Sequence, residues 1–365
     1  MKKALLIGLI IAIAAVLPLS MARQPLKAQD TLTVLCTPQE DWCVAMTEAF
    51  EAETGIETSY VRLSSGEALA RVRATAEDPE FSVWWGGPAD AFIAAAGEGL
   101  LEQYESPNAE AIPEEYKGAD GSWTGVYVGA LGFCSNTEIL EELGLEAPTS
   151  WEDLLNPDLV ENVAMAHPAT SGTAFTAVWT VITLMADEME AAEAGTGYDE
   201  VGMPTEEAVN AAFEYFSELN NNILQYTRSG AAPGQMAGNG EIAVAIIFSH
   251  DCVKLQQEGF EDILVNTFPS EGTGYEIGGM GIIANAPEME AAQMWYDWAL
   301  TVDAQSIGQT VNSLQLPTNP ETPVSELSVK LDEVDLVDYN FQAAGESRAA
   351  ITERYDADIA ITPTE

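Results

Sequence analysis

Apolar and polar positions along the chain alternate between a period of two and a period near 3.6. Leu32-Thr33-Val34-Leu35-Cys36 reads as a first strand. Thr37-Pro38 opens a helix running through Phe50, with Trp42, Ala45, Met46, Ala49 and Phe50 at helical spacing. Gly55 ends it, and Ile56 to Leu63 predicts a second strand. A helix follows from Ser65 to about Asp78. Phe81 to Trp85 is a short strand stopped by Gly86-Gly87-Pro88, and Asp90 to Gly97 is a small helix. Strand, helix, strand, helix, strand is the opening of an α/β sandwich.

The rhythm continues. Gly125 to Asn136 is apolar, Gly-spaced and strand-like, as suits a crossover between two lobes. Trp151 begins a short helix and Val160 to Met165 is a strand. Phe175 to Met185 is helical, and Ala191 to Gly202 is a loose loop. Thr205 caps a helix that has Glu206 and Glu207 in its first turn and runs through Leu219. Ile242 to Phe248 is a buried strand, with Ser249-His250-Asp251 directly after it. Val265 to Phe268 and Ile277 to Ala284 are strands. Met289 to Leu300 is a helix, and two further helices are expected near Val324–Leu331 and Phe341–Tyr355.

The N-terminus departs from this pattern. Met1-Lys2-Lys3 precedes an apolar run from Ala4 to Leu19, and Ser20-Met21-Ala22 places small residues before a cut. Residues 1–22 therefore read as a signal peptide cleaved after Ala22; the run is short for a bilayer-spanning anchor. The mature protein is expected to be soluble, in the periplasm or outside the cell. Export permits disulfides. A local Cys36–Cys43 bridge would leave Cys134 and Cys252 for a long-range one, but four cysteines allow three pairings and the sequence does not choose.

Charge narrows the partners. There are 59 acidic residues against 13 Lys and Arg, a formal net charge of −46. That excludes nucleic acid and suits a saline habitat, where salt screens self-repulsion. The few cations are unevenly placed. Arg62, Arg71 and Arg73 bracket one polar turn, while Arg228 and Lys254 flank a later segment, so positive potential could be focused locally.

Two polar turns carry the candidate chemistry. Ser64-Ser65-Gly66 and Thr170-Ser171-Gly172-Thr173 each stand where a strand gives way to a helix. Unpaired N–H groups at a helix start hold anions, and the hydroxyls add donors. Ser and Thr are also ordinary caps, so one turn alone says little. Two turns in an exported two-lobe chain suggest one anionic ligand gripped from both sides.

Several stretches together make a specific pattern. They are Ser64-Ser65-Gly66-Glu67, Trp85-Gly86-Gly87, Gly125–Asn136, His167–Thr173, Gln225-Tyr226-Thr227 with Ser229-Gly230, His250-Asp251 and Gly272–Gly281. The pattern resembles the extracellular solute-binding proteins of ABC importers, in the group labelled ferric-ion binding. The resemblance covers nearly the whole mature chain. It implies a type II periplasmic-binding-protein fold, with two α/β lobes closing on ligand about a hinge. Lobe one is expected over 30–128 and 272–318, lobe two over 129–271, and helices within 319–365 would brace lobe two. It also implies a monomer that delivers a small anionic solute to an ABC permease in the inner membrane, with no cofactor and no turnover.

The chain departs from true ferric binders, which carry adjacent tyrosines where this one reads Phe248-Ser249-His250-Asp251. The subgroup with His-Asp here, and Glu in Gly274-Tyr275-Glu276-Ile277-Gly278-Gly279, looks like the sugar-phosphate binders. By that resemblance His250, Asp251 and Glu276 hold sugar hydroxyls. Ser64, Ser65 and Gly66 hold the phosphate with Thr170, Ser171, Gly172 and Thr173. Thr37, Trp85, Gly87, His167 and Tyr226 are further candidates for the wall, and Trp84, Trp85 or Trp123 for covering a sugar face. Ferric iron or another metal, held by His250, Asp251 and Glu276, is the alternative, as is a phosphonate or other small organophosphate. Adjacent His and Asp do not make a catalytic triad, and no nucleophile elbow, Walker loop or zinc-protease motif occurs.

Overall fold

The computed structural model describes residues 31–363, so the expected signal segment lies outside the described residues. Its strands are β1 Thr31–Cys36, β2 Glu57–Arg62, β3 Val83–Pro88, β4 Leu101–Glu102, β5 Thr124–Asn136 and β6 Val163–Ala166. They continue as β7 Ile223–Thr227, β8 Val244–Phe248, β9 Leu264–Thr267, β10 Tyr275–Ile283 and β11 Leu316–Pro317. The main sheet runs in the order β2-β1-β3-β10-β5-β8-β6-β7. Within it β1 is parallel to β2 and β3, while β6 is parallel to β7 and β8.

The long strand β5 joins two halves. Its first part, Thr124–Ala130, pairs antiparallel with β10, and Leu131–Asn136 pairs with β8 and β9. All its positions are buried, as a strand covered on both faces requires. Each half of the sheet lies between two apolar layers, and alternation along a strand serves both. Trp84 of β3 stacks on Phe92 at 4.3 Å, while Trp85 meets Trp42 edge-on at 5.0 Å on the opposite face. Ile246 and Ile247 of β8 divide in the same way.

Both disulfides are present, Cys36–Cys43 and Cys134–Cys252, which settles a pairing the sequence left open. Several elements differ from expectation, among them the short helices Thr137–Leu143, Ala232–Gly238 and Ser249–Leu255, which no pattern announced. The first helix begins at Glu40 rather than Thr37, because Thr37 N–H donates to Trp85 O and keeps the turn extended. The helix Gly172–Ala192 is longer than the Phe175–Met185 core of its pattern. Strand β7, Ile223–Thr227, was not expected: it lies at the end of the sheet and its burial does not alternate, with Leu224 and Gln225 both exposed. No helix spans Val324–Leu331: Ser325 Oγ takes the Leu327 N–H and Ser325 O the Ser328 N–H, local bonds that compete with a helical ladder.

The C-terminal helix Phe341–Asp358, expected as a brace of lobe two, packs Tyr355 among Phe213 and Phe216. It is also keyed to the other half. Arg348 pairs with buried Asp90, and a Cβ at Gly345 would lie 2.6 Å from Ile93 Cγ2. The brace therefore spans both halves. Among the described residues no helix is long and apolar enough to cross a membrane.

Candidate functional site

Three helix starts converge where the two halves face each other: Ser65–Ala74, Gly172–Ala192 and Ser249–Leu255. Strand ends supply the rest of the wall. Thr37 and Gln39 follow β1, Gly87 closes β3, Tyr127 comes from β5 and Glu276 from β10.

The two polar turns touch each other directly. Gly66 N–H donates to Thr170 O at 2.9 Å across the cleft. A Cβ at Gly66 would fall 2.1 Å from Ala169 O, so only glycine permits this approach. A Cβ at Gly172 would likewise lie 2.5 Å from Pro88 Cδ. Around this contact the hydroxyls gather. Added Cβ atoms place Ser65 Oγ 2.5 Å from Gly87, and Thr173 Oγ1 and Ser171 Oγ 2.0 and 3.0 Å from Gly230. Gly87 also has φ of 92°, a backbone state that side chains resist.

The opposite part of the wall carries titratable groups. His250 Nε2 lies 3.8 Å from both Asp251 Oδ2 and Glu276 Oε1, beyond hydrogen-bond range. These three groups therefore keep bonding capacity for something else. His250 Nδ1, Thr37 Oγ1 and Gln315 Oε1 are buried without partners. Asp251 accepts from Gln39 Nε2, a contact between the halves. Burial, with the charges of Asp251 and Asp90 behind it, pushes Glu276 well above the usual carboxylate range. Burial therefore favours the protonated acid of Glu276, a form able to donate as well as accept. Burial lowers His250, with Asp251 opposing, so its ring stays neutral. Tyr127, raised by burial and by Glu276, keeps its proton; its oxygen accepts the Gly87 N–H at 2.9 Å.

Not every expected residue reaches the cavity. Ser64, Ser65, Ser171, Gly172, Thr173, Thr37, Gly87, His250, Asp251 and Glu276 line it. Gly66 and Thr170 form the closure contact instead, and Thr170 Oγ1 donates to Arg228 O at 3.0 Å. Ser64 Oγ donates to Glu67 at 2.7 Å, so its hydroxyl serves chiefly as a cap. Trp85 is core, because the pleat turns it toward Trp42. His167 is buried, bonded to Ala360 O at 2.8 Å and packed against Tyr226 and Tyr355. Tyr226 bonds Asn220 and Tyr355, behind the wall. Trp84 is in the core, and Trp123 faces a separate groove.

The sequence reading passed over Gln39, Tyr127 and Gln315. Arginine focusing is narrower than expected. Arg71 pairs with Glu80 and Arg73 with Glu98, both on exposed surface. Arg228 bridges the cleft to Glu67. Burial opposes ionisation of Glu67, but bonds from Ser64 and Arg228 outweigh it and hold the carboxyl below its ordinary value. Arg62 alone of the four lines the cavity, with Nε bonded to Pro38 O at 2.9 Å. Among the described residues no group of three or more His, Cys, Asp or Glu is placed to hold a metal ion.

Residues 45–329 match the family model described as bacterial extracellular solute-binding protein. A solved structure of the periplasmic binding protein AfuA from Actinobacillus pleuropneumoniae, with exogenous fructose-6-phosphate bound, is 33% identical with a TM-score of 0.80. That match covers 90% of this chain and 98% of the other. The periplasmic binding protein P5PA is similar at 28% identity and TM-score 0.78, over 90% and 99% of the two chains. Iron-bound HitA from Pseudomonas aeruginosa shares the fold at 17% identity and TM-score 0.70, over 89% and 98%.

Proposed function

The chain belongs to the bacterial extracellular solute-binding proteins, and from that premise we propose that its solute is a phosphorylated sugar of the hexose 6-phosphate kind. Members of this family are the substrate-binding components of ABC importers, so the protein works in the periplasm or outside the cell and its chemistry is capture rather than turnover. In this reading lobe one, 30–128 with 272–318, and lobe two, 129–271, close about the ligand.

The observation that carries the proposal is the division of the cavity wall. Ser65, Ser171 and Thr173, with the helix-start N–H groups beside them, offer donors to phosphate oxygens. Arg62 supplies the cation at the wall. Asp251, neutral His250, Glu276 with its protonated form favoured by burial, Gln39 and Tyr127 offer the mixed donors and acceptors that sugar hydroxyls need. Burial of Glu276 disfavours one of the charges that would repel a dianion in a protein of net charge −46. AfuA, at 33% identity, has fructose-6-phosphate bound, which supports the same class. A metal has less support. A Glu276 whose burial disfavours its carboxylate form, together with hydroxyl-rich turns, is a poor ligand set for Fe³⁺ and a good one for an ester.

The test is calorimetric titration of chelator-stripped protein at high salt with glucose 6-phosphate, fructose 6-phosphate, glucose, inorganic phosphate and Fe³⁺. A sugar phosphate is expected to bind tighter than either of its halves. Tight iron binding without response to any phosphate ester overturns the proposal. Preference for a phosphonate or another small organophosphate over every sugar phosphate moves the ligand class while keeping the anion turns.

A further inference from the structure

Both disulfides stand at the same part of the cavity. Cys36 ends β1 and Cys43 lies in the first turn of the helix Glu40–Thr54. Their bond closes a short loop over Thr37, Pro38 and Gln39. Thr37 and Gln39 face the cavity, and Gln39 meets Asp251 across the cleft. Cys252 directly follows His250 and Asp251 and is bonded to Cys134 of β5. That same strand passes beneath His250, where a Cβ at Gly129 would lie 2.7 Å from Nδ1, and pairs Gly129 with Glu276.

One bond thus ties His250 and Asp251 to the strand on which Glu276 is registered. The other ties down the loop that reaches Asp251 from the opposite half. The hydroxyl turns contain no cysteine and are held by hydrogen bonds alone. A staple whose only role was to restrict the unfolded chain would do more by closing a long loop. The separation of 7 residues between Cys36 and Cys43 makes that bond the lesser staple and a firm local constraint; Cys134 and Cys252 are 118 residues apart, and there the case for positioning rests on His250 and Asp251 lying directly before Cys252.

We infer that the two disulfides are positioning elements: Cys134–Cys252 sets the hydrogen-bond geometry at His250, Asp251 and Glu276 for sugar discrimination, and Cys36–Cys43 fixes a loop that serves both parts of the cavity, through Gln39 to Asp251 and through Pro38 O to Arg62. This rests on the phosphorylated-sugar reading above. The test compares wild type with Cys36→Ala/Cys43→Ala and Cys134→Ala/Cys252→Ala, measuring Kd for glucose, mannose and fructose 6-phosphates and for inorganic phosphate. The spread among the three sugar phosphates should shrink roughly two- to tenfold in each variant, the loss of about one well-placed hydrogen bond. Inorganic phosphate should change less than about twofold in Cys134→Ala/Cys252→Ala, and should weaken in Cys36→Ala/Cys43→Ala, whose loop holds Arg62 through Pro38 O. Phe50→Leu, a core change outside the cavity wall, controls for lowered stability and should leave the spread intact.

An unchanged spread in both variants, or equal weakening of phosphate and sugar phosphates in Cys134→Ala/Cys252→Ala, overturns the inference. Should the Cys134 and Cys252 variant not fold, reduction of the folded wild type, with circular dichroism confirming retained structure, reads the same spread. A wild type blind to every sugar phosphate defeats the ligand reading and this inference together, and that result is visible before any variant is made.

Discussion

The hydroxyl part of the cavity and its carboxyl part are built in opposite ways. Ser65, Ser171, Gly172 and Thr173 sit on two short contiguous turns, each made by the start of one helix. Their chemistry is local, and the same turns also form the closure contact through Gly66 and Thr170. His250, Asp251, Glu276, Tyr127, Gln39 and Gln315 come from five separate stretches and meet only in the folded chain. They depend on register, burial and disulfides. A site that must hold any phosphate ester can be local, because a helix start already provides donors. A site that must tell sugars apart needs several buried groups fixed relative to one another.

Substitutions can pull these two parts and their shared closure apart. The largest effect is expected from Gly66→Val. Its Cβ would collide with Ala169 O, a backbone atom that cannot rotate away. Overpacking of this kind costs about 3 kcal/mol at its upper range. Affinity for sugar phosphate should fall roughly a hundredfold. Small-angle scattering should show a particle that stays extended when ligand is added. Full compaction on ligand addition would show that the Gly66–Thr170 contact does not govern closure.

Asp251→Ala comes next and should act on one part only. Removing a carboxylate that accepts from Gln39 and faces the sugar costs about 1.5–3 kcal/mol if the bond to ligand is charge-assisted. Hexose phosphates should weaken and their mutual discrimination blur, while inorganic phosphate changes little. Ser65→Ala and Ser171→Ala should do the reverse, each by about 0.5–1.5 kcal/mol for a neutral hydrogen bond. Titration of each variant with glucose 6-phosphate, glucose and inorganic phosphate separates the cases. If the serine variants weakened glucose and inorganic phosphate alike, the assignment of the hydroxyl turns to phosphate would be wrong.

The same contrast explains what the sequence made legible. Turn motifs such as Thr170-Ser171-Gly172-Thr173 are contiguous, and His250-Asp251 directly follows an apolar strand, so both were visible from the residues. Tyr127 was not, because it lies inside the all-buried β5 and reads as another core aromatic; the small residues Gly125 and Gly129 around it were the available signal. Gln39 and Gln315 have no local signature, although Gln39 sits within the span of the Cys36–Cys43 bond. Trp85 misled in the other direction. Gly86-Gly87 after it suggested a cavity edge, but alternation along β3 sends its ring into the core. The α/β rhythm was legible because burial patterns repeat, whereas Val324–Leu331 failed because serine side chains there satisfy the backbone locally.

The smallest effect on binding is expected from Glu276→Gln, and it bears on why a carboxyl group can stand in this cavity. Burial, with Asp251 and Asp90 behind it, raises the Glu276 pKa well above the ordinary 4.5. That shift favours the protonated acid, and an amide keeps one donor group and one acceptor at the same place. Sugar-phosphate affinity should therefore change little. Stability should separate the two proteins. Because the folded-state pKa is raised, the folded chain holds a proton that the unfolded chain releases as pH rises above about 4.5. The contribution of Glu276 is complete below that point and is lost progressively as pH climbs toward the folded-state pKa. The glutamine variant lacks this slope. Urea unfolding between about pH 4 and pH 8 should show wild type and variant close together at the acid end, with the variant gaining relative stability as pH increases. Parallel profiles across that range would mean that Glu276 ionises in the folded protein much as it does unfolded. A second buried charge would then face the ligand, and the phosphate would need more positive potential than Arg62 and the helix starts supply.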